Sequence, residues 1–190
     1  MPIRIVINGW TRIARAAFRR LFDRPDLFEI LAINDWAPHG GMAELLQRDS
    51  VLGKFKHHVE MGKLDTGEER FSINDTSIPV FHEWRPEGLP WRDYEIDIVL
   101  ECSGVLRRRE RSESPGYDTH IKIGAKRVLI AAPTLEEDLT AVLGVNDDQL
   151  SDEHKCVSAS SRMTCSLAPV AKFLSDQFGF VKGMATSIDS

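Results

Sequence analysis

The sequence predicts an α/β fold with a doubly wound, mostly parallel β-sheet. Ile3 to Ile7 is a short β-branched run that ends at Asn8-Gly9, and apolar residues then recur at helical spacing from Ile13 to Phe22. A second apolar run, from Phe28 to Ile33, stops at Asn34-Asp35. A strand, a helix and a strand in this order form a parallel pair joined by a right-handed crossover, which is how a doubly wound sheet begins.

Further runs extend this pattern along the chain. A helix is expected over Gly40 to Gln47, and a charged, helix-like stretch follows Leu100. A last helix is expected over Thr164 to Phe178, and Gly183 to Ser190 is expected to be an extended strand that needs neighbours. The strands predicted between these elements are Phe55 to Val59, Arg70 to Ile73, Ile78 to Phe81, Ile96 to Leu100, Val128 to Ala131, Ala141 to Val145 and Cys156 to Ser158.

The composition is that of an ordinary globular protein, and it narrows the choice of partners. The 190 residues suffice for one main domain with the start of another, and 42% of them are hydrophobic. A net charge of -5 provides no general attraction for nucleic acid or an anionic membrane. The three cysteines lack CxxC spacing, and there is no apolar stretch of about 20 residues. We therefore expect a cytoplasmic protein without a disulfide framework, a metal site or a membrane span.

The turn between the first strand and the first helix lies where a dinucleotide pyrophosphate meets free helix N–H groups. The glycine pattern G-x-G-x-x-G/A appears there as Gly9, Thr11 and Ala14. Gly9 retains the tight turn, but Thr11 puts a side chain where the backbone must approach the pyrophosphate most closely. The segment is therefore either a cofactor loop of weakened affinity or only a structural turn.

Asp35 ends the second strand, near the offset of about 20 residues at which an acid binds the adenosine ribose hydroxyls. A carboxylate at this position repels a 2′-phosphate, so it favours NAD over NADP. The alternative interpretation is that Asn34 and Asp35 only cap a turn.

Several islands of sequence, all in one order, resemble the glyceraldehyde-3-phosphate dehydrogenase family. They open with ING at 7–9, RI at 12–13 and AIND at 32–35. The stretch from His82 to Leu150 is also similar to the sister enzyme erythrose-4-phosphate dehydrogenase, and both ancestries stay open. The resemblance covers essentially the whole chain but only about the first half of the family's subunit. The later islands are RDSVLGKF at 48–55, LPW at 89–91, IDIVLECSG at 96–104, GAKRV at 124–128, GVN at 144–146 and LAP at 167–169.

The resemblance implies a Rossmann-type NAD(P)-binding domain over residues 1–160 and a fragment of the catalytic domain over residues 161–190. It also implies NAD as the cofactor, and Thr11 in the glycine pattern predicts a weak affinity for it. The residues that the resemblance places at the cofactor are Asn8, Gly9, Arg12 and Ile13 in the pyrophosphate loop, Asp35 at the ribose, and Ser103 and Gly104 at its border.

The same resemblance implies that the residues for the chemistry are replaced. The family signature S-N-A-S-C-T-T-N-C-L-A-P places Arg162 at the nucleophilic cysteine and Met163 at a threonine that helps to bind phosphate. The family's T-T-V-H places Asp189 at the histidine base. A guanidinium group cannot carry the thioester that the family mechanism needs. Cys165 occupies an asparagine position, and we expect it to be a small buried helix residue.

Three functions follow as hypotheses. The first is an NAD-binding protein of this family without aldehyde dehydrogenase activity, which is a pseudoenzyme or the product of a truncated gene. The second is a non-catalytic interaction module in which the segment 183–190 pairs with a full-length homologue. The third is an NAD-dependent sugar-phosphate aldehyde dehydrogenase that is active only with a complementing chain. The expected partners are a dinucleotide and either a second copy of the chain or a full-length homologue.

Overall fold

The computed structural model of this chain describes residues 1–36, 41–64, 67–112 and 114–188. The helices are α1 (Arg12–Phe22), α2 (Met42–Gln47), α3 (Thr119–Lys122) and α4 (Arg162–Phe178). The strands are β1 (Ile3–Asn8), β2 (Phe28–Asn34), β3 (Arg48–Asp49), β4 (Gly53–Lys54), β5 (Val59–Lys63), β6 (Glu69–Ile73), β7 (Thr76–Phe81), β8 (Ile98–Glu101), β9 (Arg127–Ile130), β10 (Leu139–Thr140) and β11 (Cys156–Ser158).

Nine of these strands form one sheet, in the order β10-β11-β9-β8-β1-β2-β7-β6-β5. The strands from β10 to β7 along this order run parallel to one another, and only β6 and β5 are antiparallel to their neighbours. The strand order doubles back at β1, with β2 on one side and β8 on the other. The predicted Rossmann-type α/β fold with a mostly parallel sheet is confirmed.

Both faces of the sheet are covered, which is why its central strands are almost entirely apolar. Successive side chains of a strand point to opposite faces. Ile5 and Ile7 accordingly belong to one core cluster, together with Phe18 of α1. Val6 belongs to a second cluster on the other face, together with the fully buried ring of Trp91. The helices and loops on the two faces therefore hold the carboxyl ends of the strands in a fixed arrangement.

The strand predicted over Phe55 to Val59 is wrong, because β5 begins only at Val59. The Gln47 side chain takes the place of a neighbouring strand in this segment. Its amide donates to the carbonyl oxygens of Phe55 (3.0 Å) and His57 (3.1 Å), and its Oε1 accepts from the Val59 N–H at 3.1 Å. The apolar side chain of Phe55 is buried. It marks a core contact and not a strand.

The charged stretch after β8 is not helical, and the short helix α3 comes later in the chain. Arginine side chains bind it to the loop around residue 137 instead. Arg109 pairs with Asp138 at 2.5 Å, and Arg111 pairs with Glu136 at 2.7 Å. Arg109 also donates to the Glu136 carbonyl at 2.8 Å. These contacts hold the segment in an irregular conformation that charge periodicity does not reveal.

The last third of the chain contains further differences from the prediction. Residues 141–145, predicted as a strand, follow β10 as a turn in which Gly144 has a φ of 76° and Asn146 Oδ1 accepts from the Val142 N–H at 2.8 Å. α4 starts at Arg162, before the predicted start, because Ser161 caps it. Residues 183–188 form no strand. Gly40, the predicted first residue of the helix that corresponds to α2, lies outside the described residues.

No buried residue occurs in α4, which follows the domain boundary predicted at residue 160. The division of the chain into residues 1–160 and 161–190 stays a prediction. In the part of the chain that the structure describes, no helix is long and apolar enough to cross a membrane. The same residues contain no group of three or more His, Cys, Asp or Glu side chains that could hold a metal ion.

Candidate functional site

A crevice opens at the carboxyl ends of β1 and β8, where the strand order of the sheet reverses. From β1 the chain crosses to β2 on one side, and β8 continues to β9 on the other. Ligands of doubly wound sheets bind outside the carboxyl ends of the strands at such a reversal. The residues that line the crevice include Asn8, Gly9, Asp35, Trp36, Trp84 and Ser103.

Gly9 is the point where the β1–α1 turn crosses the end of β8. Its φ of 91° lies in the region that favours glycine. A Cβ atom at this position would lie 2.4 Å from both the Cα and the backbone N of Ser103. The Gly9 N–H donates to the Asn34 carbonyl at 2.7 Å, and the Cys102 N–H donates to the Asn8 carbonyl at 2.7 Å. The turn is thus hydrogen-bonded on both sides and packed too closely for any side chain.

The N-terminus of α1 points into the same region. The first N–H groups of a helix have no carbonyl partner within it, so those of Arg12 and Ile13 are available to a bound anion. Thr11 is the N-cap, and its Oγ1 accepts from the Ala14 N–H at 3.5 Å and donates to the Cys102 carbonyl at 3.1 Å. Its φ of -69° is ordinary for any residue. Thr11 therefore occupies one helix N–H and does not strain the backbone.

Asp35 extends from the end of β2 toward the β1–α1 turn. Its Oδ2 accepts from the Trp10 N–H at 2.5 Å. Its backbone is fixed by two further bonds, because its N–H donates to the Phe81 carbonyl at 3.0 Å and its carbonyl contacts His82 Nδ1 at 2.9 Å. Asp35 as a whole is 8% exposed, and it lines the crevice. It joins two neighbouring strand ends, which goes beyond capping its own turn.

Ser103 and Gly104 follow β8 on the other side of the crevice. The Ser103 N–H and hydroxyl both donate to Oε1 of Glu101, at 2.8 and 2.5 Å. The Ser103 hydroxyl in turn accepts from the Val105 N–H at 3.2 Å. Gly104 has a φ of 72°, and a Cβ atom built on it would meet nothing within 4 Å. The border of the crevice is thus held by hydrogen bonds, with open space beside Gly104.

A buried polar network that the sequence did not reveal lies under the crevice. Oε2 of Glu101 accepts from Asn8 Nδ2 at 2.5 Å and contacts His120 Nε2 at 3.1 Å. Trp91 Nε1 donates to His120 Nδ1 at 3.1 Å, so His120 carries its proton on Nε2 and donates it to Glu101. The Asn34 amide extends the network by donating to Asn8 Oδ1 at 2.7 Å. Glu101 and His120 are 1% and 0% exposed.

The network fixes the strand ends on which the predicted site residues lie. The Glu101 carboxylate accepts four hydrogen bonds, which satisfy a charge that would otherwise be very unfavourable in the interior. No motif in the sequence marks His120. The signal that could have revealed Glu101 is a charged residue at the end of the apolar run 96–100.

The start of α4 lies on the same edge of the sheet, because β11 runs parallel to β9 and β8. Ser161 is its N-cap, and its Oγ accepts from the Thr164 N–H at 3.1 Å. Arg162 and Met163 are exposed in the first helical turn. Neighbouring strands are about 4.8 Å apart, so the end of β11 is about 14 Å from that of β1. Asp189 lies outside the described residues.

The three cysteines differ in their ability to form a thiolate. Burial raises the pKa of Cys102 to about 12 and that of Cys156 to about 11. Cys165 is exposed on α4, so the expectation that it is a buried helix residue is wrong. The thiol of Cys165 donates to the Ala159 carbonyl at 3.4 Å. Cys102, next to the end of β8, and Cys156, in β11, are both buried.

The family is decided by comparison with known proteins. The sequence model described as the NAD-binding domain of glyceraldehyde 3-phosphate dehydrogenase matches residues 3–109, which is more than half of the chain. The chain belongs to the glyceraldehyde-3-phosphate dehydrogenase family. NAD is accordingly the cofactor of this domain.

Curated relatives with this name align along almost the whole chain. The glyceraldehyde-3-phosphate dehydrogenase of Thermotoga maritima is 42% identical over 189 residues, which are 98% of this chain and 54% of the relative. The enzyme of that name from Clostridium acetobutylicum is 40% identical over 185 residues, 97% and 52% of the two chains. Glyceraldehyde-3-phosphate dehydrogenase 2 of Streptomyces avermitilis is 40% identical over 189 residues, 99% and 53%. The chain thus spans about half the length of these relatives.

The residues at the crevice of this glyceraldehyde-3-phosphate dehydrogenase homologue fit a dinucleotide by their chemistry. The central turn carries no side chain at Gly9, α1 begins just after it at Arg12, and Asp35 lies in the lining of the crevice. The structure brings the predicted residues of the cofactor site together at one edge of the sheet. Asn8, Gly9, Asp35 and Ser103 line the crevice, Arg12 and Ile13 begin α1, and Gly104 follows Ser103.

Proposed function

We propose that this chain binds NAD in the crevice and lacks the aldehyde dehydrogenase activity of its family. The observation that carries the proposal is Arg162 in the first turn of α4, at the position of the family's nucleophilic cysteine. NAD accepts a hydride in such reactions, whereas the protein supplies the nucleophile and the base. The chain therefore retains the surroundings of the cofactor and loses the groups that act on the aldehyde.

The side chains at the reacting positions do not support acyl transfer. The Arg162 guanidinium stays protonated and cannot attack an aldehyde carbonyl. Met163 has no hydroxyl group to donate to a phosphate oxygen. An aspartate, which the resemblance places at the histidine base as Asp189, can accept a proton, but with arginine at the cysteine position no thiol is there for it to activate. Loss of a covalent nucleophile alone typically lowers turnover by many powers of ten.

The cysteines of the chain do not replace the missing nucleophile. With pKa values of about 12 and about 11, Cys102 and Cys156 hold thiolate in fewer than about one molecule in a thousand at pH 8. Cys165 is exposed, but it lies one helical turn beyond Arg162 and donates its thiol proton to the Ala159 carbonyl. We therefore assign no covalent role to any of the three.

The affinity for the dinucleotide is expected to be weak and selective. Thr11 occupies the Ala14 N–H, which a pyrophosphate oxygen would otherwise accept from. Thr11→Gly frees this donor and costs the helix only a few tenths of a kcal/mol as an N-cap. One charge-assisted hydrogen bond is worth about 1.5 kcal/mol or more, so Thr11→Gly is expected to tighten NAD binding about tenfold. Asp35 favours NAD over NADP, because its carboxylate repels the 2′-phosphate.

Two measurements on the purified chain test the proposal. Calorimetry is expected to give heat of binding with NAD and weaker binding with NADP, and Asp35→Ala is expected to remove the preference. Assays with glyceraldehyde 3-phosphate and with erythrose 4-phosphate are expected to give no NADH. Phosphate-stimulated NADH formation by a preparation free of other dehydrogenases contradicts the proposal, and Cys165→Ala then shows whether that thiol carries it.

A second function, an interaction module for a full-length homologue, is favoured by the surface of α4. None of its residues is buried, although Leu167, Val170 and Phe173 are apolar and more than half exposed. Contiguous apolar surface of this kind marks a protein contact. Size-exclusion chromatography of the chain mixed with a full-length relative is expected to show a joint peak that Phe173→Asp removes. NADH formation that appears only on mixing with a complementing chain supports instead the third hypothesis, a divided enzyme.

A further inference from the structure

A cleft lies between β2 and β7 at the amino ends of these strands, on the edge of the sheet opposite the crevice. Its volume is about 800 Å³, which is in the range of known ligand sites. Both strands are described in full, and they pair with each other only at Ile33 and Asn34 of β2. The first halves of β2 and β7 therefore diverge, and the cleft opens between them.

Pro79 ends the ladder between the two strands. The Asp35 N–H donates to the Phe81 carbonyl at 3.0 Å, so the backbone of Phe81 faces β2. Because this direction alternates along a strand, Pro79 and Ser77 face β2 as well. Pro79 has no N–H to donate. A bulge at Leu31, which has no partner on β1, bends β2 near the same level. The backbone groups of Ser77 consequently face the cleft and not a strand.

The charges of the cleft favour a guest that carries a cation. Asp23 lines the cleft, and its carboxylate is neutralised by Lys56 at 2.8 Å. Glu29 of β2 is exposed and has no ion pair with another described residue. Phe22 and Ile30 add apolar surface that is only partly buried. An extended segment with apolar side chains and one cationic side chain therefore matches the cleft.

Residues 180–188, which follow α4, have these properties. All of them are exposed, and none makes a backbone–backbone hydrogen bond with a described residue. Val181, Met184 and Ile188 are 97%, 97% and 94% exposed. Lys182 has no ion pair with another described residue. Exposed apolar side chains on a segment whose backbone has no strand partner favour β-pairing with another molecule.

We propose that residues 180–188 of a second copy of this chain insert as a strand between β2 and β7. The inserted backbone pairs with that of Ser77, Lys182 meets Glu29, and the apolar side chains cover Phe22 and Ile30. In its own molecule the segment lies along α4. That helix follows β11, which is five strands and about 24 Å from β7, so the guest comes from another copy.

A peptide tests the contact on the whole chain. A fluorescein-labelled peptide of residues 179–188 is expected to bind the parent, measured by fluorescence anisotropy. A peptide with Lys182→Glu is expected to bind about fivefold more weakly, because it places a carboxylate beside Glu29. The chain variant Glu29→Lys is expected to reverse this order and to prefer the Lys182→Glu peptide.

Ser77→Pro and Ser77→Ala separate backbone pairing from side-chain contact. Ser77→Pro removes the N–H that the inserted strand would accept from, and it is expected to weaken the peptide about tenfold. This N–H faces β2, so its loss spares the ladder between β6 and β7. Ser77→Ala, which keeps the N–H, is the matched control and is expected to bind as the parent does.

Analytical ultracentrifugation measures the same contact between whole chains. The parent is expected to self-associate as its concentration rises, and Glu29→Lys and Lys182→Glu are each expected to stay monomeric over that range. The chain that carries both changes is expected to associate again, since the two charges are exchanged. Phe173→Asp, which alters the apolar face of α4, is expected to associate like the parent.

Three results overturn the inference. The first is a parent that neither binds the peptide nor self-associates. The second is equal affinity of the parent for the two peptides. The third is equal binding by Ser77→Pro and Ser77→Ala, with the circular dichroism of the parent retained. Where Ser77→Pro does not fold, the exchange of charges decides. None of these measurements involves NAD, so the inference and the proposed NAD binding fail independently.

Discussion

Replacing Gly9 with alanine tests how closely the β1–α1 turn is packed on β8. The new Cβ atom would lie 2.4 Å from the Cα and the backbone N of Ser103. Backbone atoms cannot rotate away as the end of a side chain can, so β1 and β8 must separate at their carboxyl ends. Overpacking of this kind costs about 1–3 kcal/mol. The φ of 91° at Gly9 adds about 1–2 kcal/mol for an L-residue.

Gly104→Ala is the matched control. Gly104 also has a positive φ, 72°, but a Cβ atom on it would meet nothing within 4 Å. Gly104→Ala therefore carries only the cost of the positive φ and no cost of overpacking. The two variants also share the effect of alanine on the unfolded chain. We expect Gly9→Ala to lower the free energy of unfolding by about 1–3 kcal/mol more than Gly104→Ala does, because the conformational term cancels and the overpacking term remains. The difference corresponds to a fall in Tm of about 2–12 °C.

Urea unfolding followed by far-ultraviolet circular dichroism measures this difference. Both variants are compared with the parent at one pH and one protein concentration, and the midpoint and slope of each transition are fitted. Equal losses for the two alanine variants, or a smaller loss for Gly9→Ala, refute the close packing of the turn against Ser103.

Three further outcomes follow from buried groups. A thiol reagent at pH 8 is expected to label Cys165 rapidly and to label Cys102 and Cys156 only on unfolding. Burial raises the pKa values of Cys102 and Cys156 to about 12 and about 11. Rapid labelling of all three cysteines in the native protein contradicts this expectation. In urea titrations, the free energy of unfolding is expected to fall as the pH rises from about 9 toward 12. Burial raises the pKa values of Cys102, Cys156 and Tyr117 to about 12, about 11 and about 12, so the unfolded chain releases protons that the folded chain retains. A free energy of unfolding that does not change over this pH range contradicts the prediction. Glu101→Gln replaces one accepting oxygen with an NH₂ group that faces other donors. It is expected to lower the free energy of unfolding by about 2–4 kcal/mol. A change below about 0.5 kcal/mol would show that the hydrogen bonds of Glu101 contribute little to stability.

The opening of the fold could be predicted because its signals are local. The β-branched run at Ile3 to Ile7, the glycine at its end and the helical spacing that follows each act within a few residues. The strand at Phe55 was mispredicted because a side chain eight residues away, that of Gln47, binds its backbone. The segment containing Arg109 was predicted to be helical from its charged residues. Ion pairs with a distant loop, such as that between Arg109 and Asp138, hold it in an irregular conformation instead.

The candidate site divides in the same way. The positions of Gly9 and Asp35 at the edge of the sheet could be predicted, because each lies at the end of a strand that the sequence displays. The contact between Glu101 and His120 could not, since it joins the end of β8 to α3, and a single sequence does not show which helix packs against which strand end. The exposure of Cys165 was also missed, because no pattern within α4 tells which surface of a helix is covered.

The Glu101 carboxylate has a consequence for the order in which the molecule forms. Its bond to Asn8 joins residues separated by 93 positions, and the Gly9 turn rests on Ser103, which lies further along the chain. Closing so long a loop is slow compared with forming the β1-α1-β2 unit, whose contacts are nearer in sequence. A nascent chain that ends before β8 therefore contains a complete β1–α1 turn with nothing beneath it. The ability to bind a nucleotide emerges only when β8 inserts beside β1, so a bound nucleotide would report that the centre of the sheet is complete.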